Sequence, residues 1–367
     1  MQTPAGGATP LSRPVGLSEP SQNPLLSVRH LSTDFVSLDK TKKGAEVAHA
    51  LEDVSFEVCP GQTLGLVGES GCGKTTTLMS VMRLLPAAGR ITAGEVLLDG
   101  VDLLDLSERE MRRYRWKEMA MIFQGAMNAL NPVVPVGDQI REPILLHELM
   151  DRPEADRRVE ELLDLVGIAK SRKDQYPHQY SGGMRQRAMI AMALACEPRL
   201  LFADEPTTAL DVMIQAQVLE LLKQIQAELG LAIVLVTHDL GVIAEVCDSV
   251  VVMYGGVVAE YGPIDAVYNT PQHPYTQLLL EAFPDLNHPA ETLASIPGTP
   301  PRLNDLPPGC RFGPRCPKYW GFCSEQKPRL VEVTSMASRQ APFLQQHWAA
   351  CHLLEEVASP ATVKEND

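Results

Sequence analysis

The sequence predicts an α/β domain whose core is a mostly parallel sheet, and three observations lead to this prediction. Short apolar runs alternate with segments that have helical spacing. The first of these runs leads into the glycine-rich segment Gly68–Thr75, after which a helical pattern begins. Another run ends in Asp204 and Glu205, at the carboxyl end of a strand, where α/β sheets bind ligands. The apolar runs are residues 63–67, 200–203, 232–236 and 250–253.

The composition is that of a globular chain of 367 residues, long enough for one large domain and a smaller one. Hydrophobic residues make up 45%, which is sufficient for a core. The 46 acidic residues outnumber the 32 basic ones, so we do not expect the protein to be a general nucleic-acid binder. The sequence lacks a bilayer-spanning apolar stretch and a secretory signal, which predicts a protein in the cytosol or peripheral to the cytosolic face of a membrane.

We expect three segments along the chain. Residues 1–24 are rich in Pro, Gly, Ser and Thr and are predicted to form a disordered tail. Residues 25–270 contain the predicted sheet with its helices. Residues 271–367 are Pro-rich and irregular and contain four cysteines, so we predict a small Cys-rich C-terminal domain.

Further elements precede and follow the apolar runs. Residues 26–31 and 54–58 alternate as strands do in a sheet with one exposed face. Gly255-Gly256 begins a hairpin-like stretch that ends at Gly262. Helices are expected at residues 75–85, 107–115, 152–166 and 181–196.

The glycine-rich segment has the form G-x-x-x-x-G-K-[ST], which binds nucleotide phosphates. Backbone N–H groups of residues 71–75 would surround the β-phosphate at the N-terminus of the following helix. Lys74 would bind the β- and γ-phosphates, and the Thr75 hydroxyl would bind Mg²⁺. The predicted nucleotide-binding residues here are Gly68, Glu69, Ser70, Gly71, Cys72, Gly73, Lys74, Thr75 and Thr76.

The two acids that follow the strand at 200–203 complete a metal–phosphate site. Asp204 can hold Mg²⁺ through water, and Glu205 can act as the general base for attack of water on the γ-phosphate. Without the glycine-rich loop, the same residues would indicate only a strand that ends in a solvated turn. With that loop present, they predict an ATP-hydrolysing site.

A second glycine-rich segment, Ser181-Gly182-Gly183-Met-Arg-Gln, then reveals a family resemblance. Residues 25–265 resemble an ATP-binding-cassette (ABC) ATPase, although Tyr180 and Met184 depart from the usual Leu-Ser-Gly-Gly-Gln motif. The resemblance implies a P-loop domain with a RecA-like core, an antiparallel β subdomain and a helical subdomain. It also implies that Ser181, Gly182 and Gly183 face the γ-phosphate of an ATP bound by a partner subunit.

Four more positions are assigned by the resemblance. Gln124 resembles the glutamine that senses Mg²⁺ and the attacking water, so it joins Thr75 and Asp204 as a Mg²⁺ residue. His238 resembles the histidine that contacts the γ-phosphate, which makes Glu205, His238 and Gln124 the predicted catalytic residues. Asp211 resembles an aspartate at the dimer interface. Phe35 resembles the aromatic residue that stacks on adenine.

The sequence is similar to the branch of the family that serves oligopeptide and dipeptide importers. The similarity lies in the spacing of the motifs and in a tail that contains Ile296-Pro-Gly-Thr-Pro-Pro. This resemblance implies a second related ATP-binding subunit in a heterodimer, two transmembrane permease subunits and an extracytoplasmic peptide-binding protein, with no nucleic acid. A groove near residues 124–143 would receive a cytoplasmic helix of the permease. The alternatives are import of nickel or another small solute, a soluble cassette ATPase acting on nucleic acid or ribosomes, and a subunit that binds ATP without hydrolysis.

The late cysteines have the spacing C-x5-C-x6-C-x27-C, at Cys310, Cys316, Cys323 and Cys351. In a reducing compartment such a set indicates a metal more than disulfides. The tight cysteine pair of most zinc sites is missing, which favours a [4Fe–4S] cluster over Zn²⁺. Unmetallated thiols remain an alternative, and His352 is a further candidate ligand.

Overall fold

A computed structural model of the chain describes residues 23–36, 47–125, 129–208, 210–282, 295–333 and 346–354. The predicted disordered tail, residues 1–24, lies outside the described residues except for its last two. Within the described ranges, no helix is long and apolar enough to cross a membrane.

The strands are β1 (Leu26–Val36), β2 (Val47–Val58), β3 (Thr63–Val67), β4 (Gly89–Leu98), β5 (Val101–Asp102), β6 (Met119–Ile122), β7 (Leu200–Asp204), β8 (Ala232–Val236), β9 (Ser249–Tyr254), β10 (Val257–Pro263), β11 (Val331–Glu332) and β12 (Trp348–Ala349). The helices are α1 (Lys74–Val81), α2 (Glu108–Tyr114), α3 (Val136–Leu146), α4 (Arg152–Leu165), α5 (Gly182–Ala193), α6 (Val212–Leu229), α7 (Leu240–Val246), α8 (Ile264–Asn269), α9 (Pro274–Glu281) and α10 (Phe322–Glu325).

The larger sheet has the strand order β11-β12-β10-β9-β3-β8-β7-β6. The five neighbouring strands β9, β3, β8, β7 and β6 run parallel to one another. Strands β10, β12 and β11 extend the sheet beyond β9 with antiparallel pairing. The predicted parallel α/β core is therefore confirmed. Strands β3, β7 and β8 are buried along their whole length, and their carboxyl ends lie at one edge of the sheet, where a ligand can approach.

Alternate residues of the core strands pack into two different hydrophobic clusters. In β7, Leu200 and Phe202 pack on the side that also contains Leu26 and Phe56 of the antiparallel sheet β2-β1-β4-β5. Leu201 and its neighbours pack on the side that contains α3, α4 and α5. This period of two places a β layer on one face of the core sheet and helices on the other.

Element boundaries differ from the sequence predictions where a local backbone feature intervenes. Helix α1 ends at Val81 rather than near residue 85, because Arg83 adopts a left-handed φ of 52° that cannot continue a helix. Strand β1 runs past the predicted end at residue 31, through a bulge at which His30 has a φ of 51°.

The segment after residue 270 is joined to the core by strand pairing. Glu260 and Tyr261 of β10 pair with Ala349 and Trp348 of β12, so the C-terminal segment extends the core sheet. The remaining described elements there are α9, a 3₁₀ turn at residues 313–315, α10 and β11, which pairs with β12. A separate Cys-rich C-terminal domain is not shown, and the boundary near residue 270 stays a prediction.

Candidate active site

The phosphate loop, defined as Gly68–Thr75, links β3 to α1 as the sequence predicted. Gly68, Gly71 and Gly73 have φ values of 145°, 79° and 107°, a region that disfavours side chains. A Cβ atom on Gly68 would lie 2.1 Å from the Met253 carbonyl oxygen of the neighbouring strand β9. Glycine is therefore required at Gly68 for space as well as for conformation.

Lys74 is buried at the start of α1, with its ammonium group inside the loop. Its Nζ atom donates hydrogen bonds to the carbonyl oxygens of Gly68 (2.7 Å) and Glu69 (3.1 Å). These carbonyls stabilise the buried charge and hold it where phosphate oxygens can replace them. Cys72, also buried, lies within the same loop, and burial raises the pKa of its thiol.

The two predicted Mg²⁺ residues on the loop and on β7 meet. The Thr75 hydroxyl donates to Oδ1 of Asp204 over 3.2 Å. Burial is the main reason why the pKa of Asp204 is raised, and the nearby Glu205 carboxylate adds to the effect. A buried carboxylate beside a threonine hydroxyl fits Mg²⁺, because a divalent cation would compensate the charge that burial penalises.

The predicted catalytic residues converge on Glu205. Gln124 donates to Oε2 of Glu205 over 2.9 Å, and His238 Nδ1 lies 3.5 Å from Oε1. Thr208, which the sequence analysis missed, donates to Oε2 over 2.8 Å. The sequence offered one signal for this contact, because Thr208 follows Glu205 by three residues, a spacing at which a turn brings two residues together. Both carboxylate oxygens are thus oriented by neighbours from three different segments.

Comparisons with known proteins agree with this geometry. Residues 51–208 match the family described as ABC transporter, and residues 259–323 match the family described as oligopeptide/dipeptide transporter, C-terminal region. The probable peptide ABC transporter ATP-binding protein y4tR of Sinorhizobium fredii is 47% identical over 86% of this chain and 94% of its own length. The dipeptide transport ATP-binding protein DppD of Bacillus subtilis is 48% identical over 83% of this chain and 90% of its own.

A solved structure is similar as well. The dimeric post-hydrolysis state of the ATP-binding cassette MJ0796 bound to ADP and Pi aligns with a TM-score of 0.57 at 28% identity, over 65% of this chain and 98% of that chain. The chain belongs to the ABC transporter ATP-binding proteins. It is an ATPase with the cassette fold, and its expected ligands are ATP and Mg²⁺.

In this ABC ATPase the described residues can divide the chemistry between them. The loop amides and Lys74 are predicted to bind and orient the phosphates, and Thr75 and Asp204 would hold Mg²⁺, which supplies charge stabilisation at the phosphates. Glu205 can take a proton from an attacking water. Gln124 and His238, each beside Glu205, can orient that water and contact the γ-phosphate, roles that stay predictions.

The second glycine-rich segment of the ATPase is built as a helix start. Ser181 is the N-cap of α5, and its side chain accepts a hydrogen bond from the Met184 N–H over 3.2 Å. Asp211 caps α6 in the same way. A Cβ on Gly183 would lie 2.7 Å from Ile214 of α6, so the two helix starts are close together. The assignment of Ser181, Gly182 and Gly183 to the ATP of a partner and that of Asp211 to the dimer interface stay predictions. The nucleotide-binding roles of Ser70 and Thr76 in the phosphate loop stay predictions as well.

Phe35 lies in the antiparallel sheet, where its backbone pairs with Ala48 of β2 and Gly89 of β4. Ala48 lines an open cavity of about 460 Å³ together with residues 69–72 of the phosphate loop. The structure therefore places Phe35 one strand away from a cavity at the loop. Its stacking on adenine stays a prediction.

The four late cysteines line one small cavity of about 20 Å³, which also contacts His352. The spacing therefore did indicate residues that meet in space. The predicted metal centre itself is not supported, because in the described part of the chain no three His, Cys, Asp or Glu side chains are placed to hold a metal ion.

Proposed function

We propose that this ATPase powers the import of dipeptides or oligopeptides through a membrane permease, at the cytosolic face of the membrane. The observation that carries the proposal is the presence, in one chain, of a cassette site and of residues 259–323 that match an oligopeptide/dipeptide transporter C-terminal region. Relatives named for peptide and dipeptide transport, at 47% and 48% identity, support it.

The experiment is uptake of a radiolabelled dipeptide and tetrapeptide by cells that lack the gene for this chain. The wild-type gene should restore uptake, and a gene with Glu205→Gln should not, because the base that activates water is lost. Restored uptake of nickel in place of peptides would identify the alternative, a small-solute importer. Unchanged uptake of all solutes would overturn the transport assignment.

The two glycine-rich segments support the pairing of two ATP-binding subunits. We propose that the phosphate loop of one subunit and Ser181–Gly183 of another enclose each ATP, and that the other subunit is a related chain in a heterodimer. Two permease subunits and an extracytoplasmic peptide-binding protein would complete the importer. The dimeric cassette MJ0796 supports pairing of such chains. The chain with Glu205→Gln should elute with its partner as an ATP-stabilised complex in gel filtration, whereas elution as single subunits with and without ATP would contradict the pairing.

Exposed apolar residues in and next to the predicted groove support the permease contact. Phe123, Val133 and Leu146 are 40%, 76% and 71% exposed. Where such residues form a contiguous patch, they are typical of an interaction site. The proposed groove at residues 124–143 includes residues 126–128, which lie outside the described residues. Substitution Val133→Glu should release the ATPase from membranes that contain the permease, while ATP binding stays unchanged.

We propose further that the cysteine cavity holds a [4Fe–4S] cluster. Four cysteines around one cavity support a cluster, because a cluster separates its ligands more widely than a single Zn²⁺ ion does. Iron content and visible absorption of anaerobically purified protein test it. A brown protein with about four irons per chain is expected, and a colourless protein without iron would contradict it. Zinc in the same preparation would favour the alternative.

A further inference from the structure

All three polar groups of Glu69, the second residue of the phosphate loop, are bonded within the chain. Its backbone N–H donates to the hydroxyl oxygen of Tyr275 over 2.9 Å, and its carbonyl oxygen accepts from Lys74. Its carboxylate accepts two hydrogen bonds from Arg315, at 2.6 Å from Nη1 and 3.0 Å from Nη2. Tyr275 and Arg315 both belong to the segment after residue 270. The C-terminal segment therefore holds the phosphate loop on two sides.

Arg315 is unusually well fixed for a side chain on an irregular segment. Only 6% of its side chain is exposed. Besides the pair of bonds to Glu69, its Nε donates to the Pro297 carbonyl over 2.7 Å, and Nη1 donates to the Tyr254 hydroxyl over 3.1 Å. A bidentate, charge-assisted bond of this kind fixes both distance and orientation.

The backbone that carries Arg315 is a single tight turn. Residues 313–315 form a 3₁₀ turn in which the Arg315 N–H donates to Phe312 and the Cys316 N–H donates to Gly313. Pro314 restricts the backbone within this turn. The turn lies between Cys310 and Cys316, which both line the cysteine cavity. The guanidinium is thus presented to the loop by a short segment with little freedom.

We propose that Arg315 is a positioning residue that holds the phosphate loop, through Glu69, in the conformation that receives ATP. When ATP binds, Lys74 must exchange the carbonyl oxygens of Gly68 and Glu69 for phosphate oxygens. The bonds from Arg315 and Tyr275 keep Glu69 in place during this exchange, so the loop amides stay oriented towards the phosphates. A loop that is fixed beforehand loses less conformational entropy on binding and therefore binds more tightly. The proposal concerns ATP affinity and does not depend on which solute is transported.

The test is the dissociation constant for ATP of the full chain with Arg315→Gln, measured by equilibrium titration without Mg²⁺ so that hydrolysis does not interfere. We expect ATP to bind about threefold to tenfold more weakly, because the bidentate charge-assisted bond is lost. Arg315→Lys should recover part of the loss, since an ammonium supplies the charge but not the paired geometry.

Arg158→Gln is the matched control. Arg158 also has a side chain that is 6% exposed and also pairs with carboxylates, at Glu161 and Glu197, but it lies on α4. A structural loss alone would weaken ATP binding equally in both variants, and this result would overturn the proposal. Unchanged ATP affinity in folded Arg315→Gln protein would also overturn it.

A double-mutant cycle separates a direct from an indirect effect. If Arg315 acts through Glu69, Glu69→Gln combined with Arg315→Gln should weaken ATP binding no more than the stronger single variant does. Additive losses would mean that Arg315 affects the site by another route, and would contradict the role assigned here. Thermal unfolding of each variant confirms that the compared proteins are folded.

Discussion

The phosphate loop and the cysteine cavity are specified in different ways. The loop residues are consecutive, and the backbone conformation of Gly68, Gly71 and Gly73 directs the amides inward. The cavity brings together cysteines that are up to 41 residues apart, 351 minus 310, and its shape depends on how α9, α10 and the turn at residues 313–315 pack. The geometry of a site made from local backbone follows from a motif, whereas that of a site made from distant side chains depends on tertiary packing.

The largest contrast should appear in the rate of ATP hydrolysis. Glu205→Gln should lower kcat by at least about a hundredfold, because general-base catalysis is lost while the phosphate contacts remain. Cys323→Ser should change kcat by no more than about twofold, since no catalytic group contacts the cysteine cavity. Steady-state hydrolysis of the assembled complex measures both. Comparable losses in kcat would mean that the two regions are not separate. Glu220→Gln, on the exposed face of α6, controls for the loss of a carboxylate.

The loop itself offers a second contrast, between two glycines. Gly68→Ala should lower the free energy of unfolding by about 3 kcal/mol or more, because the new Cβ would overlap the Met253 carbonyl. Gly71→Ala should cost about 1 kcal/mol, from its positive φ alone, since no atom lies within 4 Å of the added Cβ. Urea unfolding without nucleotide compares them. Equal losses would show that space around Gly68 is not limiting.

Asp204→Asn should lower Mg²⁺-dependent hydrolysis and raise the stability of the fold. Burial raises the pKa of Asp204, so the folded state disfavours the carboxylate, and stability is lost as pH rises through the ordinary value of 3.8 towards the raised pKa. At pH 7 the neutral amide avoids this cost, so the melting temperature should rise. Mg²⁺-dependent hydrolysis should fall about a hundredfold. A melting temperature at pH 7 below that of the wild type would contradict the expected stabilisation. At pH 3, below both pKa values, variant and wild type should differ least.

The smallest expected effect concerns Phe35. If its ring stacks on adenine, Phe35→Leu should weaken ATP binding about fivefold to tenfold. Binding of inorganic tripolyphosphate, which has no base, should not change. Equal weakening for both ligands would mean that the substitution disturbs the phosphate loop instead, and would remove Phe35 from the adenine site.

Glu205 was predicted from the apolar run that precedes it, whereas Gln124 and His238 were assigned by the resemblance to ABC ATPases, and the sheet explains why the three meet. Gln124 follows β6, Glu205 follows β7 and His238 follows β8, and these strands are parallel and adjacent to one another or to β3. Their carboxyl ends must therefore lie at one edge. Helix ends were less predictable, since α1 stops where Arg83 takes a left-handed conformation.

The sequence by itself determined the ABC ATPase core, because its motifs act through local backbone geometry and through the fixed order of parallel strands. Only the tertiary structure decided how the segment after residue 270 is attached. This segment is attached by the pairing of β12 with β10 and by the contact of Arg315 with Glu69. The latter two residues are 246 positions apart in the sequence. No local pattern encodes such a contact, since it depends on where a distant turn packs. The same reason explains why the cysteine spacing could predict converging thiols but not their arrangement, which depends on the packing around them.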